Sequence, residues 1–159
     1  MEENNFTCDQ TASEIVFNSV IKKLMVPIDA TFQVPLKDSH VQTIRDADTP
    51  VARQVAKILE VWPEQVRLIH NSMGLPVEFS RLYLHDPLTV AIAYDMSLVT
   101  IAILHIELEY PPAILPRDML IRYDILRTIP KKRPPNMEVA IEVDVKRFTD
   151  LFVERITKK

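Results

Sequence analysis

The amino-acid sequence predicts a mixed α/β protein, with helices in the first two thirds of the chain and strands in the last third. In the first part, apolar residues recur at helical spacings, for example between residues 51 and 62. Residues 100–110 and 119–126 are instead rich in β-branched side chains, which favour strands. Residues 138–144 alternate strictly between apolar and polar positions, as a half-buried strand does. The residues expected on its apolar face are Val139, Ile141, Val143 and Val145.

The first third of the chain carries two helix patterns with a short strand between them. Residues 12–21 place apolar side chains on one face of a short helix. Residues 24–28 form a short buried strand, and their proline places it at a sheet edge or ends it. Asp38 or Ser39 is expected to cap a second helix that ends near Ala47.

Two residue pairs that end in proline mark later helix starts. Thr49-Pro50 supplies an N-cap and a first helical residue, and the helix continues past Pro63, which is expected to kink or restart it. After a loop over residues 75–84, Asp86-Pro87 has the same form, with Asp86 as the N-cap. An amphipathic helix over residues 146–156 closes the chain. Its expected buried side chains are Phe148, Leu151, Phe152 and Ile156.

The composition excludes several classes of protein. One glycine and twelve prolines among 159 residues leave no room for a glycine-rich phosphate loop. Apolar residues make up 47% of the chain and the formal net charge is −3, which fits one globular domain over residues 1–159. A slightly acidic chain has no global attraction for nucleic acid or for an anionic membrane, so we expect neither as a partner.

The sequence also favours a reducing, cytoplasmic location. Cys8 is the single cysteine, and the acidic, polar N-terminus lacks the basic and apolar regions of a signal peptide. Residues 88–108 are long enough to resemble a membrane span, but Asp95, His105 and Glu107 interrupt them. A central aspartate costs about 2.5–3.5 kcal/mol on membrane-insertion scales. A buried helix followed by a buried strand explains this segment better.

Among the titratable residues, His85 and Asp86 stand out. His105 lies among apolar strand residues and is expected to be a hydrogen-bonded core histidine rather than a ligand. His85-Asp86-Pro87 has a purely structural interpretation as the start of a helix. A second interpretation adds chemistry, because a helix N-terminus beside a sheet commonly faces a ligand crevice. There Asp86 offers oxygen to a hard cation such as calcium, and His85 offers a proton near neutral pH.

Longer segments resemble one protein family. Residues 26–33 read Val-Pro-Ile-Asp-Ala-Thr-Phe-Gln, and residues 84–91 read Leu-His-Asp-Pro-Leu-Thr-Val-Ala. Both are similar to segments of the inosine–uridine-preferring nucleoside hydrolases, whose signature includes H-D-P-x-A-V-A. Upstream, Glu3-Asn4-Asn5 resembles the family's E-F-N, with asparagine in place of phenylalanine. Residues 139–155, a strand followed by F-x-x-x-F-x-E-R, are also similar, so the resemblance spans almost the whole chain.

The resemblance implies a fold and an activity. The fold is a mixed-sheet, Rossmann-like nucleoside-hydrolase domain, of which residues 1–159 would form a single partial domain, the C-terminal half. The activity is hydrolysis of the N-glycosidic bond of purine or pyrimidine nucleosides, such as inosine and uridine, to a base and ribose. The family's N-terminal D-x-D-x-x-x-D-D calcium cluster has no counterpart in this sequence. The chain is therefore expected to be a truncated hydrolase that is incomplete alone.

The resemblance also implies roles for particular residues. His85 matches the catalytic residue that protonates the departing base in purine-cleaving members. Asp86 matches one ligand of a calcium ion (Ca²⁺) that binds the ribose diol and activates a water, whose proton passes to an N-terminal aspartate. Glu3 and Asn5 match residues that hydrogen-bond the ribose hydroxyls. On an extended segment their side chains would point the same way, although a frayed terminus would explain them equally well.

The sequence leaves three hypotheses about function open. The first is a nucleosidase-family protein that binds a nucleoside but is catalytically incomplete by itself. The second is an inactive homologue that acts as an interaction module through an open sheet edge. Its partner would be a full-length homologue, a complementary half or, in a homo-oligomer, another copy of the chain. The third is an unrelated α/β ligand-binding domain in which His85-Asp86-Pro87 is only a helix start.

Overall fold

The computed structural model describes residues 4–72, 82–109, 120–123 and 133–158. They divide into two compact units. The first unit comprises Met1–Ala30 and Val99–Glu142, and the second comprises Thr31–Leu98 and Val143–Lys159. Within the described ranges, no helix is long and apolar enough to cross a membrane.

The first unit contains two short helices and the strands. The helices are α1 (Asn4–Cys8) and α2 (Gln10–Asn18), and the strands are β1 (Leu24–Met25), β2 (Val99–Leu104), β3 (Ile106–Glu109), β4 (Leu120–Tyr123) and β5 (Met137–Val143, whose last residue belongs to the second unit). One sheet has the order β1-β5-β2, and β1 runs parallel to β5 with Leu24 opposite Glu138. β3 and β4 form a separate antiparallel pair in which Ile106 lies opposite Tyr123. The predicted strand at residues 24–28 is therefore present, but it is shorter.

The core of the first unit lies against its sheets. Its buried members are Met25, Leu104, Ile106, Met137 and Val139. Phe6 and Phe17 pack against this cluster, and their rings meet edge to face with centroids 5.3 Å apart. On β5, Met137 and Val139 are buried but Ile141 is exposed. The apolar face predicted for residues 138–144 is thus buried only in its first half.

The short helix predicted over residues 12–21 is present, but it ends earlier. α2 ends at Asn18, so Val20 and Ile21 lie beyond the helix, and both are exposed. Within α2, Ile15 is 67% exposed, while the small Ser13 is buried. The Ser13 hydroxyl lies 3.1 Å from the carbonyl oxygen of Phe6 and 2.9 Å from that of Asp9, and it donates to this pair. The close approach of α1 and α2 therefore buries a hydroxyl, while Ile15 and Val16 are exposed and only Phe17 of the three packs against the core.

A break between β2 and β3 divides the strand predicted over residues 100–110. The Asn136 side chain accepts a hydrogen bond from the Ile106 N–H (2.8 Å) and donates one to the Ile106 carbonyl (2.9 Å). The Asn136 side chain thereby makes the two hydrogen bonds to Ile106 that the backbone of a neighbouring strand would otherwise make. The His105 ring lies 2.8 Å from the Pro134 carbonyl and 2.7 Å from the Glu107 carboxylate. His105 is hydrogen-bonded as predicted, but it is half-buried and does not belong to the core.

The second unit is built from helices. They are α3 (Ile28–Thr31, which reaches the unit at its last residue), α4 (Asp38–Asp46), α5 (Pro50–Ser72), α6 (His85–Tyr94), a 3₁₀ turn (Met96–Leu98) and α7 (Val145–Thr157). α7 packs against α4, α5 and α6. The largest buried side chains of the unit are Ile44, Leu88, Ile92, Leu98, Val34 and Phe148. The helices-first layout and the closing helix were both predicted.

Of the N-caps predicted for α4, α5 and α6, only that of α5 is confirmed. The Thr49 hydroxyl accepts from the Ala52 N–H at 3.0 Å, as expected of the N-cap of α5. α5 continues through Pro63 as one helix. α4 begins at Asp38, so Lys37 is the N-cap and the prediction of Asp38 or Ser39 is wrong. In α7, Phe148 is fully buried, whereas Leu151, Phe152 and Ile156 are half-buried.

Replacing Asn136 with alanine should destabilise the first unit. Asn136→Ala removes both side-chain hydrogen bonds to Ile106. A typical hydrogen bond contributes about 0.5–1.5 kcal/mol, and water can reach this side chain, so we expect a loss of about 1–2 kcal/mol in the free energy of unfolding. Urea denaturation followed by circular dichroism measures it. Asn18→Ala, at an exposed position, is the matched control. Equal stabilities of the two variants would contradict the bridging role of Asn136.

Candidate functional site

His85 and Asp86 are the first two residues of α6. The N-cap is Leu84, so the prediction that Asp86 is the N-cap is wrong by two positions. Pro87 is the third helical residue, a position where a missing N–H has no consequence because the first four N–H groups of a helix lack partners within it. His85 and Asp86 are therefore neighbours in the sequence and lie in the first turn of α6.

Backbone hydrogen bonds fix the start of α6. Pro35 and Tyr83 form an antiparallel bridge. On either side of it, the Leu36 N–H donates to the Leu82 carbonyl (2.8 Å), and the Leu84 N–H donates to the Val34 carbonyl (3.1 Å). These bonds hold Leu84 outside the helical conformation and make it the residue from which α6 begins.

The body and the far end of α6 are also anchored. Leu88 and Ile92, one helical turn apart, are both buried. Just beyond α6, the Asp95 carboxylate accepts from the Ser97 hydroxyl (2.6 Å) and the Ser97 N–H (3.0 Å) and forms an ion pair with Arg147 of α7. The hydrogen bonds from Ser97, with the Arg147 charge as a lesser cause, hold the pKa of the Asp95 carboxyl below its ordinary value. α6 is thus fixed at both ends.

Three side chains surround the His85 ring. Its Nδ1 atom lies 2.7 Å from the hydroxyl of Thr31, the last residue of α3. Thr31 is only 4% exposed. The ring centroid of His85 lies 5.4 Å from that of Phe32 and 5.9 Å from that of Tyr83, and the two aromatic rings meet edge to face at 4.7 Å. His85 is therefore a half-buried imidazole held in one orientation.

Unlike the half-buried His85, Asp86 is exposed to solvent. Its carboxylate is exposed, in the first turn of a helix where an anionic side chain is favourable. Calcium takes about six to eight oxygen ligands. The described ranges contain no group of three or more His, Cys, Asp or Glu residues that could hold a metal ion. The described residues therefore do not complete a calcium site around Asp86.

The two predicted ribose-binding residues belong to the first unit. Glu3 lies outside the described residues. Asn5 is an exposed residue of α1. The extended segment expected there is wrong for residues 4–8, which are helical, and alternate residues of a helix do not share a face. The structure therefore brings His85 and Asp86 together on one helix and gives Asn5 a different local geometry from the one predicted.

Thr31 and Phe32 were missed as site residues by reasoning from the sequence, which offered Tyr83 only as an aromatic residue of the core or of a base-stacking pocket. Thr31 and Phe32 stand in the 26–33 segment that carries the resemblance, but their sequence positions give no indication that they contact His85. Thr31 and His85 are separated by 54 positions. Only the tertiary structure of the second unit, to which both residues belong, brings them together.

The fold and the residues of α6 place the chain in a known class of hydrolase. The sequence pattern of the inosine-uridine preferring nucleoside hydrolases matches residues 1–150. The chain belongs to this family. The mixed α/β fold predicted from the sequence is confirmed by solved structures of the same class.

Individual relatives show how much of the family fold is present. The chain is 28% identical to the pyrimidine-specific ribonucleoside hydrolase RihA of Salmonella arizonae over 154 residues, which are 97% of this chain and 46% of the relative. The purine-preferring ribonucleoside hydrolase from Gardnerella vaginalis is 27% identical, with a TM-score of 0.76 over 98% of this chain and 46% of that one. A plant nucleoside hydrolase, PpNRh1, has the same fold, with a TM-score of 0.79, 23% identity and coverage of 99% and 48%. The chain spans about half the length of the relatives it matches.

The anchoring of α6 by Asp95 should depend on pH. Because the pKa of Asp95 is lowered in the folded state, its contribution to stability is present above the ordinary value of 3.8 and is lost as the pH falls through the lower folded value. Asp95→Asn should therefore lower the melting temperature at pH 7, and the difference from the wild type should shrink at acidic pH. Thermal melting between pH 7 and pH 3 measures this. Glu142→Gln, at an exposed position of β5, is the control. A deficit in Asp95→Asn that is independent of pH would exclude the ionised carboxylate as its cause.

Proposed function

We propose that this chain carries the leaving-group side of a nucleoside N-ribohydrolase site. The reaction is hydrolysis of the N-glycosidic bond of a purine or pyrimidine nucleoside, such as inosine or uridine, to a base and ribose. Membership of the family supports this, and one observation carries it: the hydrogen bond and aromatic contacts that hold the His85 ring at the start of α6. One relative is named pyrimidine-specific and another purine-preferring, so both substrate types belong in the assay.

His85 is suited to act as the general acid. When the bond between ribose and base breaks, its electron pair passes to the base, which is a poor leaving group unless a proton arrives. An imidazole ordinarily has a pKa of about 6.5 and can both hold and release a proton near neutral pH. The half-buried ring of His85, fixed by Thr31 and by two aromatic neighbours, has the restricted orientation that such a transfer needs.

Asp86 is proposed as one oxygen ligand of Ca²⁺. A hard cation with carboxylate ligands would hold the ribose hydroxyls when bound. Because the described residues supply no cluster around Asp86, the remaining ligands would come from outside the described ranges or from a second polypeptide. Glu3 and Asn5 keep their proposed role as hydrogen-bonding partners of the ribose hydroxyls. A cytoplasmic location stays a proposal, supported by the exposed free thiol of Cys8.

A second candidate function is that of an interaction module, and exposed apolar surface favours it. Along α5, Val51, Ile58 and Trp62 lie on one helical face, and each is at least half exposed. A groove of about 690 Å³ between α6 and α7 is flanked by Val90 and Tyr94, which are also exposed. Exposed apolar surface in patches larger than a few hundred Å² marks protein interfaces. The partner would be a homologue of full length, a complementary half or another copy of the chain.

Removal of the His85 imidazole should abolish most nucleoside hydrolysis. The assay follows ribose release from inosine and uridine with calcium present, using the purified chain alone and mixed with a polypeptide that covers the other half of a full-length relative. His85→Ala should lower kcat by about 10²–10⁴-fold, the usual contribution of a general acid. His40→Ala, on α4, is the control. Equal turnover by His85→Ala and the wild type would contradict the role of His85 as general acid. If the wild-type chain shows no turnover either alone or in the mixture, the interaction module is favoured.

A substrate with an activated leaving group sharpens this test. The nitrophenolate of a p-nitrophenyl riboside departs without protonation, so the loss caused by His85→Ala should be much smaller for this substrate than for inosine. Equal losses for the two substrates would show that His85 supports the fold of the site and does not donate the proton.

Calcium binding by the isolated chain should be weak. A single carboxylate leaves most of the calcium shell to water, so we expect a dissociation constant above about 10⁻³ M, which is weaker than extracellular calcium modules achieve. Isothermal titration measures this. In the mixture with the complementary half, binding should tighten, and Asp86→Asn should reverse the gain while Asp38→Asn should not. Tight binding by the isolated chain, or no effect of Asp86→Asn in the mixture, would contradict the proposed ligand.

Self-association should depend on the exposed face of α5 if the chain is an interaction module. Trp62→Glu places a charge in this face, and charged side chains are depleted at interface cores. Sedimentation velocity at micromolar concentration should show oligomers of the wild type and a shift toward monomer in Trp62→Glu. Gln54→Glu, which adds the same charge at an exposed position of α5, is the control. A monomeric wild type would exclude pairing between copies.

A further inference from the structure

Helix α5 presents a long apolar strip to solvent. It packs on α4 and α7 with its other side, on which Ala52 and Leu59 are buried. The strip consists of large side chains that are each 49–60% exposed: Val51, Ile58, Val61, Trp62 and Leu68. Four of them recur at intervals of seven, three and seven residues, which is the spacing of the a and d positions of a heptad. The strip is therefore a seam about 25 Å long on one side of the helix.

The two flanks of this strip differ in character. Lys57 and Glu64 occupy the heptad position g on one flank, and both are exposed. Val55 and Trp62 occupy position e on the other flank, which is apolar. Within the part of the chain that the structure describes, Glu64 forms an ion pair with Arg67 of the same helix, whereas no ion pair includes Lys57. A charged flank of both signs thus lies beside an uncovered apolar seam.

We propose that α5 pairs antiparallel with α5 of a second copy of this chain along the strip. The inference rests on the interaction-module candidate under the proposed function, and it names the partner and the arrangement. With the two-fold axis level with the middle of the strip, Ile58 lies opposite Val61 of the second copy and Val51 lies opposite Leu68. Each contact then occurs twice, as a two-fold interface requires.

Charge complementarity selects this arrangement. In antiparallel helices the two g flanks meet, so Lys57 of each copy lies opposite Glu64 of the other. The two e flanks also meet, which places Val55 beside Trp62 of the second copy. In a parallel pair each g flank would instead face an e flank, and both charges would be set against apolar side chains. Only the antiparallel pair matches charge with charge and apolar surface with apolar surface.

The polar groups of the strip fit the same register. Glu64 accepts a hydrogen bond from Nε of Arg67 at 2.9 Å, and a carboxylate has further lone pairs for Lys57 of the second copy. Gln54 and Gln65, the two polar residues at a and d positions, lie opposite each other, where their amides can pair. Buried polar pairs of this kind fix the register of paired helices. Gln54→Glu keeps such a pair, because the Gln65 amide can donate to a carboxylate.

Disulfide cross-linking tests the direction. Cys8→Ser removes the native free thiol and serves as the background. In this background, Gln54→Cys mixed with Gln65→Cys should form a covalent heterodimer under mild oxidation, identified on a non-reducing gel by a size tag on one variant. Neither variant alone should form a covalent dimer, because the two copies of either residue are separated by about 16 Å along the helix axis. A disulfide needs Cα atoms within about 7 Å.

Exchange of the flanking charges tests the ion pairs. Lys57→Glu and Glu64→Lys should each raise the dissociation constant of the dimer about tenfold, measured by sedimentation equilibrium, because like charges then face each other twice. The double variant that carries both changes should return to within about threefold of the wild type. Glu60→Lys, an exposed position outside both flanks, is the control. Failure of the double variant to recover would contradict the pairing of Lys57 with Glu64.

The remaining outcomes separate this inference from the proposed function. A monomeric wild type would overturn it, and so would a covalent dimer of Gln54→Cys alone, which indicates parallel helices. Oligomers without the mixed cross-link would overturn it and leave an interaction module that uses another surface. Loss of the mixed cross-link on addition of the complementary half of a full-length relative would assign the strip to that polypeptide instead. None of these results depends on ribose release.

Discussion

The candidate site depends on the way helix α6 is anchored within the second unit. Its start is set by the backbone bond from Leu84 to Val34, its buried face by Leu88 and Ile92, and its far end by Asp95 and its partners. Each of these restraints is ordinary, and together they leave the first turn little freedom. A side chain on that turn can therefore hold an orientation without strain, which is the condition for directional proton transfer.

The two residues of that first turn have opposite environments. His85 is half-buried and contacts a hydroxyl and two aromatic rings, whereas the Asp86 carboxylate is exposed to solvent. This difference suits their proposed roles, because a proton donor benefits from a fixed, partly dry setting and a cation ligand must be reachable. The residues that orient His85 all belong to this chain, whereas Asp86 needs further oxygen ligands to form a metal site.

Exposed apolar surface is the other main feature of the molecule. The outward side of α2, one face of α5 and the groove between α6 and α7 all carry large apolar side chains. Such surface has a cost in water of about 25 cal/mol per Å² that burial would recover. The chain spans about half the length of the relatives it matches, and its apolar surface gives a physical reason to look for a second polypeptide.

Features that are determined locally could be predicted from the sequence. Thr49 and Pro50 specify the start of α5 by themselves, and the hydrophobic period located α7 to within a residue at each end. The family resemblance carried by residues 26–33 and 84–91 led to the fold and to His85 and Asp86. The errors occurred where a distant contact decides the outcome, as at α6, which starts at His85 because Leu84 bonds to Val34.

The sequence by itself determined the family, the main helices and strands and two residues of the candidate site, because periodicity, capping and motif are properties of neighbouring residues. It could mark an apolar face on α2 but not whether anything covers that face. Only the tertiary structure decided this, since burial depends on what packs there. Only the tertiary structure brought Thr31 to the ring of His85, because a hydrogen bond between residues 54 positions apart is set by the packing of helices and leaves no local pattern.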